Sequence, residues 1–131
     1  MLDDRVTNSQ IQTLTCPRRH YLMYELGLRR DGDRRALNIG TAIHEGIHHR
    51  NLLRMEDVAN AEADCRGIEY GVEKFMEFAP AADTPAYADY RRDLQVVWAL
   101  LTGYFWRYSE WDAGIEIVDS ERQFAVHSKK G

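Results

Sequence analysis

Two long stretches of the chain place apolar residues at alternating steps of three and four, the spacing of an α-helix buried along one side. The first series is Val58, Ala61, Cys65, Ile68, Val72 and Phe75. The second series is Tyr87, Tyr90, Leu94, Val97, Leu101, Tyr104 and Tyr108. The segment from Ala79 to Pro85 separates them and contains two prolines, which break helices. We therefore expect an antiparallel helix pair whose aromatic residues, together with Cys65, pack in the core.

The first part of the chain predicts two short helices. The run Thr7-Asn8-Ser9 offers good N-cap residues for a helix through Leu14. Pro17 suits the first position of a second helix, which is expected to run to about Leu26. Gly27 is then well placed to cap the C-terminus of that helix.

A third helix is predicted from Ile39 to Arg54, after a charged loop from Arg29 to Arg35. Its apolar line consists of Ile39, Ile43 and Ile47, which are spaced by four residues. His44 flanks this line, so the helix is expected to carry an imidazole beside its buried face.

After Gly114 the pattern changes from helical spacing to alternation. Residues Ile115 to Ser128 interleave isoleucine, valine and phenylalanine with polar residues, which favours a β-strand with Glu121 and Gln123 on one face. Lys129-Lys130-Gly131 is typical of the start of a hairpin turn. The predicted fold class is α+β, in which a mostly helical N-terminal portion leads into the first strand of an incomplete mixed sheet.

Composition indicates a globular protein of one domain or part of one, because the chain has 131 residues and 44% of them are hydrophobic. No apolar run approaches the length that spans a membrane, and Met1 leads directly into Asp3-Asp4-Arg5 rather than into a signal peptide. Cys16 and Cys65 give no disulfide framework. We expect a reduced, cytoplasmic protein with no membrane partner.

The charge is unevenly distributed, although the net charge is only −4. Between Pro17 and Arg54 there are eight arginines and four acidic residues, a balance of about +4, so the remainder carries about −8. A basic face on an acidic body can bind a phosphate backbone locally. Arginines on helix surfaces are also ordinary solubilising residues, so charge alone does not choose between these interpretations.

The order of four short segments resembles the start of the RecB-like nucleases of the PD-(D/E)XK superfamily, a group that includes the AddB nuclease domain, CRISPR adaptation nucleases and many phage exonucleases. The segments are Ser9-Gln10-Ile11, Cys16-Pro17-Arg18-Arg19-His20-Tyr21-Leu22, Gly27-Leu28 and Ile39-Gly40-Thr41-Ala42-Ile43-His44-Glu45. The predicted strand, with Glu121 preceding Phe124, also matches. Each segment alone is degenerate, and the resemblance covers only the first half of the family domain.

This resemblance implies metal-dependent cleavage of DNA, with Mg²⁺ or Mn²⁺ as cofactor. It implies that His44 lies beside the metal site, with Glu121 on the strand nearby. The residues are compatible with this role, because Gly40 and His44 are four apart on one helix face and the glycine leaves space beside the imidazole. Imidazole can complete such a site where carboxylates supply the other ligands. A solvated histidine on the helix surface is the alternative.

The family's full catalytic signature is not present in these 131 residues. The family uses an aspartate and then an acid-x-lysine pair to hold the metal and assist the attacking water. The lysines here are Lys74, Lys129 and Lys130, and none has an acidic residue two positions before it. We expect an N-terminal fragment, or one piece of a split or truncated single domain, that is catalytically silent by itself. The missing half of the domain, or other recombination and repair proteins, would then be partners.

Two further metal hypotheses arise from the same residues. Some relatives hold an iron–sulfur cluster with one cysteine at the position of Cys16, but one ligand cannot hold a cluster, so such a cluster is expected only in a longer parent chain. The sequence His44-Glu45-Gly46-Ile47-His48 fits the zinc-peptidase pattern, in which Glu45 would be the general base. A zinc peptidase needs a third ligand, and the downstream candidates Glu69 and Glu73 lie on a helix better explained by packing.

DNA is the partner that the resemblance implies. Arg18, Arg19, Arg34 and Arg35 are the residues we expect to contact its backbone, because such contacts require only positive charge and reach. A non-catalytic DNA- or partner-binding remnant of a nuclease remains an alternative to an enzyme.

Overall fold

The computed structural model describes residues 7–28 and 34–122, which belong to two compact units, residues 1–33 and residues 34–131. Each unit is built from helices. Within the described ranges, no helix combines the length and the apolarity needed to cross a bilayer.

The first unit contains helix α1 (Asn8–Thr13), helix α2 (Pro17–His20) and a π-helical turn (Tyr21–Glu25). Thr7 is the N-cap of α1, and its hydroxyl accepts a hydrogen bond from the backbone of Gln10 while the Gln10 side chain accepts one from Thr7. Pro17 occupies the first position of α2, and Gly27 ends the helical stretch with a φ of +65°. Both short helices predicted from the sequence are confirmed.

The second unit contains helix α3 (Arg35–Met55), helix α4 (Asn60–Met76) and helix α5 (Ala86–Ala113). All three predicted helices are confirmed, and α3 begins four residues earlier than predicted. The expected antiparallel arrangement of α4 and α5 is also confirmed. Phe75, at the end of α4, stacks on Tyr90 near the start of α5, while Gly67, earlier in α4, faces Phe105.

Helices α3 and α4 meet along a line of small residues. A methyl group placed on Gly67 would lie 2.7 Å from Cβ of Arg50 and 2.9 Å from the carbonyl oxygen of Gly46, and one placed on Gly71 would lie 2.9 Å from the carbonyl oxygen of Ala42. The two backbones therefore approach more closely than side chains would permit. Steps of four residues on both helices keep these small residues on facing sides.

The core lies where α5 covers this contact. Val97 and Leu101 of α5 are fully buried, as the second apolar series predicts. Tyr104 and Tyr108 of the same series are 39% and 40% exposed, so the prediction that they pack in the core was wrong. The first series was less successful, because Cys65 is exposed and the prediction that it belongs to the core was wrong. Cys65 lies two positions from Ala63 and from Gly67, about 200° around the helix, so the buried glycine face of α4 turns it outward.

The predicted α+β fold class is wrong for the part of the chain that the structure describes, in which there is no strand and no sheet. Residues 115–122, named here the 115–122 segment, form an irregular stretch where the first strand was expected. A strand requires a neighbour for its backbone groups, and the described ranges offer none. In addition, Glu121 has a φ of +60°, which an extended strand does not permit. The remainder of the predicted strand and the predicted hairpin turn at Lys129-Lys130-Gly131 lie outside the described residues.

Candidate functional site

Two histidines of α3 face the 115–122 segment. The Nε2 atom of His44 lies 3.1 Å from Oε1 of Glu121, and these side chains are 59% and 51% exposed. One turn later, Nδ1 of His48 shares a hydrogen bond of 2.8 Å with the hydroxyl of Ser120 in a partly buried position. The structure thus brings together the two residues, His44 and Glu121, that the sequence suggested separately.

Arg54 binds the end of α5 and the start of the 115–122 segment. Its Nη2 atom donates to the carbonyl oxygens of Asp112 and Ile115 at 2.6 and 2.9 Å. The last carbonyls of a helix have no partner within the helix, so this arginine satisfies the end of α5. From Arg54 the 115–122 segment runs along α3 towards the start of that helix, past His48 to His44. This path places Glu121 beside His44.

The backbone of Glu121 is in the left-handed region, with a φ of +60°. This conformation disfavours a residue with a Cβ atom by about 1–2 kcal/mol. It persists only where neighbouring contacts hold the chain in place. On the preceding residue, those contacts are the bond from Ser120 to His48 and the backbone bond that Ser120 donates to the carboxylate of Asp119 at 2.8 Å.

Open space lies one turn before His44. Gly40 is exposed, and in the described part of the chain no atom beyond its chain neighbours and the local helix backbone would lie within 4 Å of a methyl group placed on it. Gly46, on the same helix, is enclosed by Gly67 and Leu101. Gly40 therefore has open space around its Cα and the nearby His44 side chain is largely exposed, whereas Gly46 serves packing.

The pair of donors partly fits a divalent metal ion. Neighbouring ligands about 2.1 Å from an octahedral Mg²⁺ lie about 3.0 Å apart, close to the separation of His44 Nε2 and Glu121 Oε1. An imidazole and a carboxylate suit manganese-type sites. Among residues 7–28 and 34–122, however, no group of three or more His, Cys, Asp or Glu side chains is arranged to hold a metal. The pair can supply two ligands of a set that needs more.

The zinc-peptidase pattern finds less support in this geometry. His44 and His48 both lie on α3, four residues apart, as that pattern requires. The Nδ1 atom of His48 is bound to Ser120, and the described part of the chain brings no third ligand to the two histidines. Glu69 and Glu73, the downstream candidates, lie on exposed positions of α4.

The arginines selected for DNA contact lie in different settings. Arg18 and Arg19 are exposed on α2, and Arg34 is exposed immediately before α3. Arg35 is half exposed and binds the buried Asp93 through two hydrogen bonds of 2.9 Å, so it joins the start of α3 to α5. These hydrogen bonds hold the pKa of Asp93 below its ordinary value, against the opposing effect of burial. Their role in DNA binding stays a prediction.

The two cysteines are free thiols. Cys16, the position that suggested an iron–sulfur ligand, is exposed at the N-cap of α2. Cys65 is exposed on α4. Cys16 belongs to the first unit and Cys65 to the second.

The sequence did not predict a buried ionic cluster around Arg50. Arg50 was one of the eight arginines interpreted as surface basic residues. Arg50 is only 3% exposed. Its Nη2 atom lies 2.7 Å from Oδ2 of Asp112, its Nε atom lies 3.5 Å from Oδ1 of Asp64, and its guanidinium stacks 4.7 Å from the ring centre of Phe105. We name Arg50, Asp64 and Asp112 the buried arginine cluster. Burial raises the pKa of Asp64, and Arg50 opposes that rise.

A signal for this cluster is present in the sequence. Arg50 continues the four-residue step of Ala42 and Gly46, which are the buried small residues of α3. A long side chain at the next step of a small-residue line points into the interior, where its charge requires partners. Asp64, from α4, and Asp112, from α5, provide them.

The sequence matches the profile of the PD-(D/E)XK nuclease superfamily over residues 5–128. This range covers most of both units, including His44 and Glu121. Searches of curated proteins and of solved structures give no match.

Proposed function

Since the chain belongs to the PD-(D/E)XK nuclease superfamily, we propose that it serves metal-dependent hydrolysis of DNA in the manner of the RecB-like nucleases. Membership suggests a nuclease-type function with DNA as substrate, and nucleases of this superfamily generally use divalent metal ions. The observation that carries the proposal is the contact of His44 with Glu121 beside the open space at Gly40.

In this proposal, His44 and Glu121 are ligands of Mg²⁺ or Mn²⁺. When bound there, such an ion would supply Lewis acidity toward a phosphate oxygen and would make a water more acidic. His44 would offer the lone pair of Nε2 to the ion, and Glu121 would offer a carboxylate oxygen. The high exposure of both side chains leaves room for a phosphodiester to reach the ion.

The exposed arginines serve as contacts to the DNA backbone. Arg18, Arg19 and Arg34 offer guanidinium groups for phosphate oxygens. Arg35 takes part less readily, because a phosphate must compete with Asp93 for two of its nitrogens. Filter binding across salt concentrations tests this assignment. The logarithm of the affinity should fall linearly with the logarithm of the salt concentration, and an affinity independent of salt contradicts it.

Residues 1–131 by themselves are proposed to be catalytically silent, because they contain no acid-x-lysine pair. The test is incubation of the purified chain with linear and circular DNA, in Mg²⁺ or Mn²⁺ and in a chelator. No cleavage above the chelator control is expected. Metal-dependent cleavage that disappears in His44→Ala contradicts the proposed silence.

Metal binding can be measured without activity. We expect the chain to reduce the electron paramagnetic resonance signal of free Mn²⁺, and His44→Ala to weaken this binding about tenfold or more. His49→Ala is the matched control, because His49 is also on α3 but stacks on Tyr70 at 4.2 Å between ring centres. If His44→Ala binds Mn²⁺ as tightly as the unaltered chain does, His44 is not a ligand.

A further inference from the structure

We propose that His48 is a positioning residue: its hydrogen bond to Ser120 holds the carboxylate of Glu121 against His44. The functional meaning of this contact rests on the proposed metal site, whereas the contact itself can be tested without any metal. The nuclease resemblance gives no role to His48.

The 115–122 segment depends on side chains of α3 for its position. In the described ranges it belongs to no helix and no strand. Two backbone N–H groups of the segment donate locally, from Ile115 to the carbonyl oxygen of Asp112 and from Ser120 to the side chain of Asp119. Side chains of α3 contact it at Ile115 and again at residues 120 and 121. The contacts at residues 120 and 121 therefore decide where its far end lies.

Of these two contacts, the one from His48 is better suited to fix the chain. The Ser120–His48 bond is 2.8 Å long and partly buried, so water competes with it less. The Glu121–His44 pair is 3.1 Å apart, and both side chains are more than half exposed. Exposed pairs of this kind are screened by water and salt, and many contribute nothing measurable. Glu121 is thus placed mainly through its neighbour.

The backbone of Glu121 supports the same conclusion. Its left-handed conformation turns the chain immediately after Ser120. A glutamate released from its neighbours would leave this region, since its Cβ atom disfavours it. Fixing Ser120 on His48 therefore keeps both the turn and the direction of the carboxylate.

The first test is ¹⁵N relaxation of the backbone amides, without metal. In the unaltered chain, Ser120 and Glu121 should be as ordered as α3, with order parameters of about 0.85. In His48→Ala the values at both residues should fall below about 0.6, while Ile115, held by Arg54, should stay ordered.

Two variants distinguish positioning from general damage. His48→Asn places an amide near the position of Nδ1, where it can still bond to the serine hydroxyl, and should restore order at residues 120 and 121. His49→Ala, which removes the adjacent imidazole, should leave those residues ordered. If His48→Ala leaves the relaxation of Ser120 and Glu121 unchanged, the proposal is wrong, and failure of His48→Asn to rescue also contradicts it.

The second test connects the contact to the proposed site through Mn²⁺ affinity. His48→Ala should weaken binding about tenfold, as removal of a supporting hydrogen bond commonly does. Glu121→Ala should weaken it at least as much, and the double variant should lose no more than Glu121→Ala alone, because His48 acts only through Glu121. Additive losses would instead mean that His48 touches the metal and would overturn the positioning role. If the unaltered chain binds no Mn²⁺ but the relaxation changes as expected, the proposed function fails and the positioning contact stands.

Discussion

Helix α3 carries two contacts between a nitrogen-bearing side chain and a carboxylate, and they differ in burial far more than in distance. His44 lies 3.1 Å from Glu121 with both side chains more than half exposed, whereas Arg50 lies 2.7 Å from Asp112 and is 3% exposed. An exposed pair contributes about 0–1 kcal/mol, but removing one partner of a buried pair costs about 3–5 kcal/mol. Arg50 therefore belongs to the packed interior of the second unit, whereas His44, less than two turns earlier on the same helix, keeps its imidazole exposed.

Loss of the Arg50 guanidinium should lower the stability of the chain more than any other change considered. Arg50→Ala leaves Asp64 and Asp112 partly buried without their cation, and it also removes the contact with Phe105. We expect a loss of about 3–5 kcal/mol in the free energy of unfolding. Urea denaturation followed by circular dichroism measures it. A loss below about 1 kcal/mol would show that the cluster is not the anchor of the second unit.

The close contact between α3 and α4 gives the next largest effect. Gly67→Ala forces a methyl group against Cβ of Arg50 and the carbonyl of Gly46, and neither can move as the end of a flexible side chain does. We expect a loss of about 1–3 kcal/mol in the free energy of unfolding, measured by the same urea denaturation. Gly103→Ala is the matched control, because Gly103 is also inside a helix but meets no neighbour among residues 7–28 and 34–122, and it should gain about 0.5–1 kcal/mol. Equal effects at the two glycines would contradict the close approach.

Two aspartates should affect the pH dependence of stability in opposite directions. The pKa of Asp93 is lowered in the folded chain. Its contribution to the free energy of unfolding is therefore fully present above the ordinary pKa of 3.8, and it is lost as the pH falls through the pKa of the folded state. Asp64 has a raised pKa, so its protonation favours the folded state as the pH falls. Stability measured by urea denaturation between about pH 6 and 2 should therefore fall less steeply in Asp93→Asn and more steeply in Asp64→Asn than in the unaltered chain.

Identical slopes in the two variants would contradict these assignments. The size of the Asp93 effect should be modest, about 1–2 kcal/mol at neutral pH, because Arg35 is half exposed and water screens the pair.

The helices were predictable from the sequence because the apolar spacing and the caps at Thr7, Pro17 and Gly27 are local signals. The packing faces were less predictable. The apolar series selected Cys65, whereas the chain buries Gly67 and Gly71, since close backbone approach rewards the absence of a side chain.

For residues 115–122, the part of the predicted strand that the structure describes, the prediction was wrong for a physical reason of another kind. Alternation describes a residue pattern, but a strand forms only where a partner strand accepts its hydrogen bonds. In the described residues, the 115–122 segment is bound by side chains of α3 and pairs with no strand.

The candidate site was predictable only in part. Family resemblance pointed to His44 and Glu121, but nothing local connects His48 with Ser120, which is 72 residues away along the chain. Arg50 was predicted to lie on the surface because charged residues are usually exposed. Only the packing of the helices shows that Asp64 and Asp112 lie beside its buried guanidinium.

Removal of the exposed contact between His44 and Glu121 should change the stability of the chain least. His44→Ala should change the free energy of unfolding by less than about 0.5 kcal/mol, because the contact with Glu121 is screened by water and the helix tolerates alanine well. The same variant should nevertheless weaken Mn²⁺ binding strongly. Arg50→Ala should show the opposite: a large loss of stability and, once the unfolded fraction is corrected for, little change in Mn²⁺ affinity. Urea denaturation and Mn²⁺ titration of the two variants, side by side, measure this ratio. A loss of stability above about 1 kcal/mol in His44→Ala would place the histidine with the structural residues and remove the difference between His44 and Arg50.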